Sequence, residues 1–275
     1  MLGLAILFGS IVGFALGLTG GGGGVFAVPL LVYGLAVAPR EAVGISLASV
    51  GGTALFGAVP RLVRGEVELR TGLLFAVAGM LGAPVGSYLS TLVPEQVLLV
   101  MFAVLMLVVA QRMWAKTKNP SQPSGVCNTE TVATRDRSAC QRDEDGKLRL
   151  TSKCARLLVL VGLMTGVLSG MFGVGGGFVI VPALVLFSGM AIHRAVATSL
   201  FVIVLVSISG VASHLANGND LSLETTLQFV VGGFAGMWLG GIVAKRLKGP
   251  TLQKTFSVAV VLVAVFVIFK SVVVP

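Results

Sequence analysis

Long apolar runs alternate along the chain with short polar ones. Ten apolar segments stand out, at 2–18, 24–37, 41–60, 71–91, 96–114, 155–171, 177–190, 195–213, 225–244 and 252–274. A helix needs about 20 apolar residues to cross a bilayer. The second and seventh segments are shorter, and each follows a run of glycines. They are expected either to cross obliquely or to form re-entrant hairpins with the segment before them. The pattern predicts an all-α polytopic membrane protein with eight to ten membrane segments. Residues 1–114 form a first membrane half and 154–275 a second. Between them, 115–153 mix both charge signs with Pro, Ser and Gly, and read as a mostly disordered cytoplasmic connector.

Composition sharpens this. Of 275 residues, 55% are hydrophobic and only 11% are charged, against about 25% charged in soluble domains. Thirteen of the charges fall between Lys116 and Lys153, which leaves the apolar halves almost bare. A soluble globule, a disordered chain and a disulfide-rich secreted domain are excluded.

The net charge of +9 does not point to nucleic acid. The basic residues sit between apolar runs, where the positive-inside bias places them. One side of the membrane would carry Arg61, Arg64, Arg70, Arg112, the central loop, Arg156, Arg194, Lys245, Arg246, Lys248 and Lys254, and the other only Arg40 and Lys270. The first side is therefore expected to be cytoplasmic, with both termini outside. The first segment has no basic residue before it, which suits an outward N-terminus and not a signal peptide. A bacterial inner membrane fits this arrangement. Cys127, Cys140 and Cys154 show no Cys-x-x-Cys spacing and no neighbouring His, so a metal site is not expected. They read as free cytoplasmic thiols, with a redox-sensing Cys127–Cys140 pair as the alternative. No cofactor is indicated.

The two halves are related at an offset of 153 residues. Gly20, Gly22, Gly23 and Gly24 fall on Gly173, Gly175, Gly176 and Gly177, and Pro29 falls on Pro182. Ala42, Val43, Ser46 and Leu47 fall on Ala195, Val196, Ser199 and Leu200, and Gly65 falls on Gly218. After one inserted residue, Gly79, Gly82 and Gly86 fall on Gly233, Gly236 and Gly240. Each half crosses an odd number of times, counting the hairpin as two or none, so the second half starts on the opposite side. The repeats are inverted. Inverted repeats with a glycine-interrupted short helix in each half are a pointer to a secondary transporter, with substrate held near the midplane where the breaks meet.

The runs GLTGGGGGVFAVPLL and REAVGISL, with their partners GMFGVGGGFVIVPALVL and HRAVATSL, resemble the two signatures of the TauE/SafE membrane transporters. These are sulfite and organosulfonate exporters. The resemblance covers both membrane halves but not the central linker. It implies a multi-pass plasma-membrane permease for small anions, often sulfur oxyanions or sulfur-containing organic acids. One departure stands out: the second half has Ala-Thr-Ser-Leu at Ala197 to Leu200, whereas Ile45 replaces the threonine in the first.

A helix start leaves about four N–H groups unpaired and carries roughly half a positive charge. Glycines there let a ligand approach the backbone. The runs 20–24 and 175–177 are thus candidate anion sites without any lysine. The alternative is tight packing or a bend. No Gly-Lys-Ser/Thr follows, so they are not Walker loops. Thr19, Ser46, Thr198 and Ser199 are candidate neutral donors beside the breaks. Each is open to the alternative of bonding its own helix backbone. Arg61 falls on His214 at the same offset. The two would form opposed vestibules that attract anions, or would be an ordinary positive-inside arginine and an interfacial histidine. His193 also reads as interfacial. Gly82/Gly86 and Gly236/Gly240 have the Gly-x-x-x-Gly spacing of packed helices. Trp114 is expected at the cytoplasmic interface and Trp238 in the interior. No segment carries a central carboxylate, so proton coupling through the protein is not indicated, and the coupling ion is open. An anion channel is the main alternative to a transporter. An intramembrane enzyme lacks a His cluster, an Asp pair or a Ser with a base. Homo-oligomerisation is left open.

Overall fold

The computed structural model describes residues 2–118, 141–142, 148–149, 152–188, 190, 192–219, 221–244, 261, 263 and 267. The bulk of the central linker, Cys127, Cys140, the Lys245–Lys254 cluster and most of the tenth apolar segment lie outside these residues. The described chain is almost wholly helical: α1 (Leu2–Thr19), α2 (Gly24–Pro29), α3 (Pro39–Val63), α4 (Leu69–Leu92), α5 (Glu95–Lys118), α6 (Ser152–Phe172), α7 (Gly177–Ser188), α8 (Ile192–Ala216) and α9 (Leu223–Ala244). Two-residue strands β1 (Gln141–Arg142) and β2 (Leu148–Arg149) pair antiparallel in the linker. Five helices are long and apolar enough to span a bilayer: Pro39–Val63, Leu69–Leu92, Cys154–Phe172, His193–Ala216 and Leu223–Ala244.

Local chemistry sets the helix ends. Pro39 stands at the start of α3, where a missing N–H costs nothing, and Glu41 lies in the first turn. α3 and α8 end alike, on left-handed Gly65 (φ +69°) and Gly218 (φ +74°). Pro29 closes α2 without an N–H, and the ladder widens into a π turn, Leu30–Gly34. The eleven residues from Gly24 to Gly34 rise only about 16 Å, at about 1.5 Å each. They turn back along α1: Gly23 packs on the Val12 carbonyl and Leu16, and Gly34 on the Phe8 ring. The short second segment is thus a re-entrant hairpin arm. Gly176 packs likewise on Thr165 and Ser169 of α6.

The halves exchange partners. α1 packs along α9 and α4 along α6, so the first helix of each half lies on the fourth of the other. Glycines make these contacts. Gly9, Gly13 and Gly17 meet the Phe229, Gly233 and Met237 backbone, while Gly162, Gly166 and Gly170 meet that of Phe75, Gly79 and Ala83. The two sets are equivalent under the repeat. Gly82/Gly86 press on the Leu163–Met171 stretch and Gly236/Gly240 on Ser10–Phe14, which is helix packing. In the middle, α3 lies against its own equivalent, α8. Gly44 meets His214, Gly51 meets Ser207 and Gly57 meets Leu200. One numbering rises as the other falls, so equivalent helices run in opposite directions, the geometry of an inverted repeat.

Outward faces are apolar, with Leu73, Val77 and Leu81 of α4 and Leu227, Val231 and Phe234 of α9 exposed for lipid. Trp238 belongs to this face. It is 67% exposed, which corrects the expectation of burial: α9 turns its glycines to α1, so its bulky residues face out. The Trp114 side chain lies outside the described set. His193 is exposed. Cys154 is a second correction, for it is disulfide-bonded and is not a free thiol.

Candidate functional site

The first break is capped from within. The Thr19 hydroxyl donates to the Ala15 carbonyl at 2.7 Å and accepts the Gly22 N–H at 2.8 Å. Val25 and Phe26 then donate to the Gly22 and Gly23 carbonyls and open α2. Only Gly20 is left-handed here, at φ +74°. In the second break Gly173, Gly175 and Gly176 are all left-handed, at φ +72°, +67° and +68°. Phe172 stands where Thr19 stands in the first and has no hydroxyl to give. The sequence shows two equal glycine runs; the backbone makes two different turns of them.

The two breaks meet. A Cβ at Gly21 would strike the Gly177 backbone, and one at Gly24 the Val174 carbonyl. Each break also sits on the other half. Gly173 lies on the Val43 backbone, and Gly20 on Val196 at the equivalent position. Gly175 reaches Val50 and Ile203, halfway along α3 and α8. Candidate donors Ser46 and Ser199 tie this junction. Ser46 Oγ donates to the Gly173 carbonyl at 2.5 Å, and Ser199 Oγ to the Gly20 carbonyl at 2.7 Å and the Val196 carbonyl at 2.8 Å. Both are fully buried. In this conformation their protons are held by glycine carbonyls of the opposite half. Thr198 is a structural tie of another kind: its Oγ1 accepts the Glu68 N–H at 3.0 Å, at the start of α4. Its counterpart Ile45 is buried among apolar neighbours.

Two further hydroxyls belong to the second break, and sequence reasoning passed over both. Ser169 on α6 lies beside Gly176, and Ser207 Oγ on α8 lies 3.9 Å from where a Gly175 Cβ would be. They are 0% and 2% exposed, and neither hydroxyl has a hydrogen-bond partner among the described residues. An unmatched buried hydroxyl costs about 1–3 kcal/mol. Their counterparts at the offset are Leu16 and Ala54, so repeat matching hid them. It hid Gly21 as well, whose counterpart is Val174.

Arg61 and His214 lie at opposite ends of the α3–α8 pair. The His214 imidazole covers Gly44, one residue from the Val43 that carries Gly173. It is 1% exposed, and Nδ1 and Nε2 are both unpartnered. Arg61 is part-buried, with Nη1 unpartnered. The histidine thus sits in the last turn of α8 but faces α3 inside the protein. Among the described residues no cluster of His, Cys, Asp or Glu is arranged to hold a metal.

The sulfite exporter TauE/SafE family matches residues 5–267. A "Probable membrane transporter protein" of Xylella fastidiosa strain Temecula1 is 34% identical over 96% of this chain and 93% of its own. The "Probable membrane transporter protein YunE" of Bacillus subtilis is 26% identical over 98% of both chains. No solved structure matches the chain. With its apolar helices and glycine breaks, the chain belongs to the TauE/SafE family of membrane transporters.

Proposed function

We propose that the protein moves small sulfur anions, such as sulfite or sulfonates, across the cell membrane by alternating access. Substrate binds at the glycine breaks. The observation that carries this is the crossed clamp, in which each half's serine holds the other half's break. Two inverted halves joined this way can rock about the α3–α8 contact and open the junction to one side at a time. Gly21 and Gly177 meet backbone to backbone, a barrier that such rocking would part. That favours a carrier over an anion channel. Arg61 and His214 serve as opposed vestibules in this scheme, and the central loop faces the cytoplasm with both termini outside.

The test is counterflow in proteoliposomes. Vesicles preloaded with unlabelled sulfite, thiosulfate, sulfate, sulfoacetate, taurine or lactate are offered a labelled trace of the same compound. A carrier accumulates label transiently and saturates with concentration. Uptake without saturation or exchange would support the channel, and no movement of any sulfur anion would sink the proposed substrate class.

A further inference from the structure

The repeat pairs the two breaks as equals, yet their surroundings differ. The first is capped from within, where Thr19 takes the Gly22 N–H; the space beside its Gly23 is filled by Val12 and Leu16, as that beside Gly176 is by Thr165 and Ser169. The second has no such cap among the described residues. It opens α7, a helix of 12 residues, much as the first opens the helical arm Gly24–Gly34, in which α2 continues into the π turn. Three left-handed glycines turn its backbone. Against it stand the unpartnered, buried hydroxyls of Ser169 and Ser207, where the first has Leu16 and Ala54.

We infer that the protein has one anion site, not two, and that it lies at the second break. Ser169 and Ser207 donate hydroxyls to an oxyanion held at the start of α7, beside Gly175 and Gly176. The first break is its structural counterweight. This rests on the anion-transport reading above. It deepens it by naming the residues and the ligand chemistry: a compact oxyanion whose several oxygens accept from neutral donors. Two hydroxyls and a helix start supply donors without a fixed positive charge. An anion can then leave the site as readily as it enters, as turnover requires. Ser207 and His214 are seven residues apart on α8, and both face α3, against Gly51 and Gly44. The unpartnered imidazole thus lies on the same face of α8 as Ser207.

The test is the concentration dependence of flux in proteoliposomes, using sulfite, thiosulfate and sulfate as probes. The double variant Ser169→Ala/Ser207→Ala is compared with Ser49→Ala, which deletes another unpartnered buried hydroxyl, on α3. Ala54→Ser is the second control. Size-exclusion profiles establish that each variant is folded. The double variant is expected to raise KM about tenfold or more, as loss of hydrogen bonds to a charged ligand does, while maximal rate changes far less. Both controls keep KM within about twofold. An unchanged KM in the double variant, or an equal rise in Ser49→Ala, overturns the assignment and leaves transport standing. A wild type that moves none of the probes overturns the transport reading itself. If the double variant does not fold, Ser169→Ala and Ser207→Ala are read singly. A raised KM in either supports the site, and normal KM in both overturns it.

Discussion

Ser46 and Ser199 each hold a glycine carbonyl of the opposite half. Removing either hydroxyl leaves a buried carbonyl unmatched. Ser46→Ala and Ser199→Ala should each cost about 1–3 kcal/mol, seen as lower melting temperatures of the purified protein in detergent. Ser46→Ala should cost more, because Ser199 divides its proton between the Gly20 and Val196 carbonyls. Equal melting temperatures to wild type would mean that the clamp adds nothing. The sequence marked these two serines through repeat symmetry, because matched Ser-Leu pairs survive an offset comparison. It could not say which atom they face, since the acceptor lies 127 residues away for one and 179 for the other. Thr198 shows the limit from the other side: the sequence offers it as a donor, and it also accepts the Glu68 N–H at the head of α4 while its own proton faces the Met190 sulfur. Ser169 and Ser207 escaped notice because they break the symmetry that made the others visible.

The helices fit by glycine. Gly13 stands on the Gly233 backbone and Gly166 on that of Gly79. Overpacking costs about 1–3 kcal/mol when neighbours can shift, and here the neighbour is backbone. Gly13→Ala and Gly166→Ala should therefore reduce the folded fraction, read as loss of the monodisperse peak in fluorescence-detected size exclusion. Gly3→Ala is the contrast: nothing lies within 4 Å of its added Cβ, and alanine favours the helix by about 1 kcal/mol, so its peak should be intact. The apolar runs made nearly every element legible, with ends within a few residues. The Gly-x-x-x-Gly pairs of α4 and α9 were legible as packing faces. Their partners were not. An offset comparison relates α1 to α6, yet α1 packs on α9, and no pattern within one helix names its neighbour. The length of the second segment admits both a re-entrant arm and an oblique crossing, because length alone does not give direction.

Taken whole, the molecule is two halves crossed through each other, with opposite orientations in the membrane. The proposed orientation rests on the distribution of Arg and Lys. Glu66→Cys in the α3–α4 loop and Ala216→Cys at the end of α8 are both exposed positions. In a background without native cysteines, a membrane-impermeant maleimide should label the second in intact cells and the first only after permeabilisation. The opposite labelling would invert the proposed topology. The charge count is what proposes this orientation; the antiparallel run of α3 against α8 fixes how the halves relate to each other, not which way they face.

The exchange of helices also has a consequence for how the protein is made. α1 emerges well before α9, and it carries a stripe of Gly9, Gly13 and Gly17 whose partner is α9. Until α9 has been synthesised and inserted, that stripe has only lipid against it. α4 waits in the same way for α6. The packing faces of the first half are therefore completed only by the second, and a ribosome that stops before α9 leaves a chain with bare packing faces in the bilayer. Assembly is committed late, and quality control has a simple mark by which to tell a finished molecule from an abandoned one.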